Sequence, residues 1–102
     1  MPVTFTVPDK IAEHINNLSL DKPFNENLQM LLVAEYQRRL SHYNLTNRQF
    51  SRKYQMSFEE FEQQQITKKQ AYTWEVESDA MTWETAIDGI RTIKRQLTEI
   101  EG

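Results

Sequence analysis

Cysteine is absent from the 102-residue chain, which excludes disulfides and thiolate metal sites. Glycine occurs only at Gly89 and Gly102, so no glycine-rich loop is available to cradle a phosphate. The last proline is Pro23. Over the remaining three quarters of the chain no backbone-breaking residue interrupts a helix, and any break there must be signalled by caps. The longest apolar run, Met30-Leu31-Leu32-Val33-Ala34, is five residues, far short of the ~20 needed to span a bilayer. No charged segment leading into an apolar stretch opens the chain, so a cytoplasmic location is expected. The two histidines, His14 and His42, have no partner at ligand spacing, and neither a metal nor a cofactor is expected.

What is present is a charge asymmetry on an ordinary globular composition, 38% hydrophobic and 26% charged. Residues 1–56 carry seven Lys/Arg against five Asp/Glu, and residues 57–102 carry five against ten. The positive charge gathers in Arg38, Arg39, Arg48, Arg52 and Lys53, with no acidic residue between them. This is either a solvated helix face or an anion- or nucleic-acid-binding patch. A domain that binds nucleic acid non-specifically is usually basic overall, and this chain carries a net charge of -3.

The pattern predicts a mainly α domain of four to five helices with a short N-terminal β-strand, in one domain of 102 residues. Residues 1–24 form a strand-and-helix arm and residues 25–102 the helical body. Val3, Phe5 and Val7 alternate with Thr4 and Thr6, the period of a strand. That strand either pairs with its copy across a dimer or lies on the helices as an extended arm. Pro8 then suits a helix start, and Ile11, Ala12, Ile15 and Leu18 keep helical spacing over Asp9 to Leu18. Ser19 to Asn25 is a loop. From Glu26 to Tyr43 a helix is predicted whose first half, apolar on every side at Met30 to Ala34, belongs in the core.

Two capping-box spacings follow, Thr46-Asn47-Arg48-Gln49 and Ser57-Phe58-Glu59-Glu60. They predict a short helix from Asn47 to Lys53, a turn through Tyr54-Gln55-Met56 and a new helix from Ser57. The last segment has the cleanest period: Trp83, Ala86, Ile90, Ile93, Leu97 and Ile100 step by three, four, three, four and three. That stripe packs either in a groove of its own domain or, with Val3, Phe5 and Val7, in a homodimer seam.

Three function classes are weighed. Catalysis has little support, because the acidic clusters lack a nucleophile–base pairing, and the protein is read as no enzyme. DNA reading by the hairpin at residues 47–62 is opposed by Glu59, Glu60 and Glu62 at the start of its second helix. A strand followed by two helices has the order of strand-reading dimers, with Thr4 and Thr6 as readers, but the strand holds no Arg, Lys, Asn or Gln. Protein binding remains. Tyr72, Trp74, Met81 and Trp83 lie among Glu75, Glu77 and Asp79, with no Lys or Arg from Glu75 to Asp88. Tryptophan and tyrosine are common binding hot spots, and an acidic surround suits a basic partner. The alternative is that both tryptophans fill the core.

Lys53-Tyr54-Gln55-Met56-Ser57-Phe58-Glu59-Glu60-Phe61-Glu62, with Trp74-Glu75-Val76-Glu77-Ser78-Asp79 and Trp83-Glu84 downstream, resembles a family of small prokaryotic proteins. These are numerous in cyanobacteria and archaea, and many are thought to be antitoxin-like members of toxin–antitoxin pairs. They share a K-Y-G-M-S-F-E-E-F turn, and Gln55 stands where the family has glycine. The resemblance covers roughly Leu31 to Glu84. It implies a non-enzymatic antitoxin-like protein that masks a small basic toxin, and it carries over no catalytic residue. The rival readings are a stand-alone scaffolding homodimer and a DNA-binding autoregulator using the N-terminal strand.

Overall fold

The computed structural model describes residues 3–69 and 73–101, and among these the chain is mainly helical. Five helices follow one another: α1 (Asp9–Asn16), α2 (Phe24–Tyr54), α3 (Phe58–Gln63), α4 (Ile66–Lys69) and α5 (Trp74–Glu101). Two compact units divide the chain, Met1–Glu35 and Tyr36–Gly102. None of the helices is long and apolar enough to cross a membrane.

In the first unit the expected N-terminal strand does not form: residues 3–8 are irregular, and no strand occurs among the described residues. A strand needs a neighbour to take its backbone hydrogen bonds, and an all-helical chain offers none. Val3 and Phe5 are exposed and Val7 is half-buried. α1 starts behind Pro8, with Asp9 in its first turn and His14 in its last, the placement that suits the helix dipole. It stops two residues short of the expected Leu18. The loop after it is tied to α2: the Asn27 side-chain amide donates to the Ser19 carbonyl at 3.2 Å. Asn27 is the one buried residue of α2. The core placement expected for Met30 to Ala34 is overturned, since Met30, Leu31 and Leu32 are 40%, 44% and 43% exposed. One short helix and a loop cannot enclose a helix that is apolar all round.

α2 also runs straight through the helix start expected at Asn47. Thr46 does not cap; its hydroxyl donates to the His42 carbonyl one turn back, at 3.2 Å. That bond is open to any mid-helix threonine, and with no proline or glycine nearby nothing forces a break. The helix ends where the turn was expected. The Met56 N–H reaches back to the Ser51 carbonyl at 3.2 Å, with Gln55 left-handed at φ 55°, which is a Schellman closure. Glutamine is strained in that conformation and glycine is not. Gln55→Gly is therefore expected to raise stability by up to about 1 kcal/mol, read as a higher urea midpoint at unchanged slope.

α3 starts at its predicted cap: the Ser57 hydroxyl oxygen accepts the Glu60 N–H at 3.2 Å. α3, α4 and α5 then close the core of the second unit. Phe61, Ile66, Val76 and Trp83 are its buried centre, with Phe50, Tyr54, Met56, Phe58, Ala80 and Ile87 packed around them. Further along α5, Ala86 and Ile93 are buried too, while Ile90, Leu97 and Ile100 are half-buried. The three-four stripe is thus taken up largely inside the chain. Gly89 permits this, because Tyr43 of α2 lies where its side chain would be: a Cβ there would stand 2.5 Å from the ring.

Candidate functional site: the first half of α5

α5 presents three different faces over its first four turns, and the side chains expected to act together are divided among them. One face is core. Trp83 is completely buried, against the rings of Phe50, Tyr54, Phe58 and Phe61 at centroid distances of 5.7, 6.0, 5.3 and 5.2 Å. Its indole N–H donates to Asn47 Oδ1 at 2.8 Å. As a partner-binding residue Trp83 is therefore corrected: it is the centre of the fold. A buried indole needs a hydrogen-bond partner, and Asn47 lies thirty-six positions away, beyond any sequence pattern.

The second face is an ion-pair network. Lys53 Nζ lies 2.7 Å from Glu75 Oε1 and 2.5 Å from Asp79 Oδ2, and the Tyr54 hydroxyl donates to the same Asp79 oxygen at 2.6 Å. The fold joins Lys53 of the expected basic patch to Glu75 and Asp79 of the expected acidic one, a single ammonium shared by two carboxylates. Burial pushes the Asp79 carboxyl up, but the Lys53 and Tyr54 hydrogen bonds and the lysine charge outweigh it and hold it below 3.8. Burial, then the bond to Asp79, pushes the Tyr54 phenol up to about 12. The bonds to Asp79 and Glu75 hold the Lys53 ammonium above its ordinary 10.5.

The signs give a bounded pH window. A lowered carboxylate stabilises the fold above 3.8 and loses its effect as pH falls through the lowered value. The raised phenol and ammonium stabilise below 10.0 and 10.5 and lose their effect as pH climbs past those values. The melting temperature of the wild type is expected to exceed that of Asp79→Asn by a constant margin at neutral pH, shrinking at both extremes. A margin independent of pH would remove the network from the account.

The third face is open. Trp74 is 83% exposed and Met81 70% exposed. Together with Thr67, Glu77, Ser78, Ala80 and Thr82 they line a groove of about 560 Å³. A second hollow of about 380 Å³, lined by Phe58, Phe61, Glu62, Gln65, Ile66 and Glu84, shares Thr67 and Ala80 with it. Glu62, Glu77 and Glu84 make no ion pair among the described residues. Tyr72 lies outside the described residues.

The other expected residues are scattered. Arg38, Arg39, Arg48 and Arg52 are exposed along α2, apart from Lys53 in its network. Among the described residues no three His, Asp or Glu come together as a metal site would need. Comparison with protein-family models, with curated proteins and with solved structures finds no match.

Proposed function

We propose that the chain is a non-enzymatic, antitoxin-like protein-binding domain that masks a basic partner through the open face of α5. The observation that carries this reading is the exposure of Trp74 and Met81 beside the carboxylates of Glu77 and Glu84, which make no ion pair among the described residues. Large side chains of this kind lose favourable free energy in water and recover it in an interface, where tryptophan is a frequent hot spot. Carboxylates at the rim favour a cationic partner and speed its approach. Lys53, Tyr54 and Asp79 satisfy one another, and Asp21, which accepts the Ser19 hydroxyl, is held by that bond below its ordinary 3.8, a poor base for activating it. The resemblance of residues 53–62 makes a small basic toxin protein the kind of partner to look for.

The test is purification of the tagged chain from its native host, with the eluate resolved by size exclusion and light scattering. A stoichiometric small basic companion, lost when Glu77 and Glu84 are both changed to Lys but kept with Arg38→Glu, is the expected result. A bare protein, or a companion indifferent to the reversal, overturns the reading.

A second reading, a scaffolding homodimer, is favoured by one observation in the first unit. Val3, Phe5, Leu28, Met30, Leu31 and Leu32 are all exposed, and three of them, Met30 to Leu32, are consecutive in α2, apolar side chains that a second copy would take out of water. Light scattering of the pure chain decides it: a dimer that Leu31→Glu dissociates supports the scaffold, and a monomer removes it.

A further inference from the structure

The open face of α5 has a regular order. Trp74, Glu77, Met81, Glu84 and Asp88 step by three, four, three and four residues, so they form one stripe along the helix in which apolar and acidic side chains alternate as far as Glu84 and a second carboxylate, Asp88, follows. Across from its first turns stand α3 and α4, whose Phe58, Phe61 and Ile66 wall the adjoining hollow. The two hollows meet at Thr67 and Ala80, giving a trough along α5 with an apolar floor and carboxylates on its rim. A trough of this form fits a partner that repeats at the same spacing.

We propose that the occupant is an amphipathic cationic helix of a partner protein. One or two large apolar side chains would insert between Trp74 and Met81, and Lys or Arg at helical spacing would meet Glu77, Glu84 and Asp88. The inference rests on the protein-binding function proposed above and names the partner's recognition element. Charge selects this occupant. Carboxylates along the rim repel nucleic acid and anionic lipid surfaces, whose phosphates need cations. A helix lying in a groove presents anchors at three- and four-residue intervals, the intervals found along α5. The network of Lys53, Glu75, Tyr54 and Asp79 takes no part in the docking. Its carboxylates are already bonded to Lys53 and Tyr54, so the charges open to a partner are those on the groove side.

The probe is a synthetic peptide about four turns long, with two leucines one turn apart flanked by lysines. A scrambled peptide of the same composition lacks the stripe. Titration of the full chain is followed by tryptophan emission. Trp74 is exposed and Trp83 buried, so burial of Trp74 reads as a blue shift and slower acrylamide quenching. The patterned peptide is expected to produce this saturable change. It should bind at least about tenfold more tightly than the scrambled one, and Met81→Glu or Glu77→Lys/Glu84→Lys should weaken it by a similar factor. Glu75→Lys should leave the affinity unchanged. Glu77 is half-buried and Met81 and Glu84 are exposed, so circular dichroism melts of the Met81→Glu and Glu77→Lys/Glu84→Lys variants are expected to match the wild type and confirm that they fold.

Equal binding of the two peptides, or no binding of the patterned one, overturns the helical occupant. So does concentration-dependent burial of Trp74 in the chain alone, which would make a second copy the occupant. These outcomes are distinct from failure of the parent reading. A native basic companion released by Glu77→Lys/Glu84→Lys but indifferent to Met81→Glu would keep the acidic docking face and discard only the helix in the trough.

Discussion

Trp83→Ala is expected to remove about 3–5 kcal/mol of stability, a large share of the total that a domain of this size commands. The indole is completely buried within the aromatic cluster, and deleting it leaves a cavity among Phe50, Tyr54, Phe58 and Phe61 that α3 and α5 cannot close without moving. The loss also orphans Asn47 Oδ1, which accepts the indole N–H at 2.8 Å. Trp83→Phe separates the two contributions. It keeps an aromatic ring but leaves the asparagine oxygen unpaired, at a cost of about 1–3 kcal/mol. Asn47→Leu in the Trp83→Phe background should recover part of that. Urea denaturation followed by circular dichroism measures all three. A Trp83→Ala protein within about 1 kcal/mol of wild type would mean that the ring cluster is not the core.

Gly89→Leu is expected to cost about 2–3 kcal/mol, by overpacking. The position is helical, and glycine in a helix interior is itself unfavourable by about 1 kcal/mol relative to alanine, so the residue is explained by what it makes room for. An added Cβ would stand 2.5 Å from Tyr43 Cε2 and 2.7 Å from both Cδ2 and Cζ, an overlap along one side of the ring that small shifts cannot relieve. Alanine at this site should therefore lose about 1 kcal/mol despite its better helix propensity. In a Tyr43→Ala background the obstacle is gone and the sign should reverse, with Gly89→Ala stabilising by up to about 1 kcal/mol. The four denaturation curves of this cycle measure the coupling directly. A Gly89→Ala effect of the same sign in both backgrounds would exclude the ring as its cause.

Sequence pattern and fold agree where the signal is local. Ser57 and Glu60 are three residues apart and make the cap they promised. The turn at Gln55 follows from the same short stretch, and the stripe from Trp83 to Ile100 is buried or half-buried along its length. The pattern misleads where a local signal had two solutions. Thr46 has the spacing of a cap, yet its hydroxyl finds the His42 carbonyl, and α2 continues without interruption. Val3 to Val7 has the period of a strand, but period alone does not provide the neighbouring backbone that pairing requires. Met30 to Ala34 has the composition of a core helix, and the first unit has too little chain to surround it.

The candidate site was half legible. Trp74, Glu77, Met81 and Glu84 lie close in sequence, and helical spacing places them on one side of α5. The split between Glu77 and the pair Glu75 and Asp79 was not legible, because it depends on Lys53 and Tyr54. They reach Asp79 across twenty-six and twenty-five positions.

The sequence by itself determined that the chain is helical, where α3 begins and which side of α5 turns inward. Those properties follow from hydrogen bonds and side-chain periodicity within a few residues. Only the tertiary structure decided which tryptophan is core and which is exposed, and which carboxylates are spent on Lys53 and which remain open. Burial and charge pairing depend on neighbours brought together from distant parts of the chain, and residues of the same type, nine positions apart on one helix, can meet opposite surroundings.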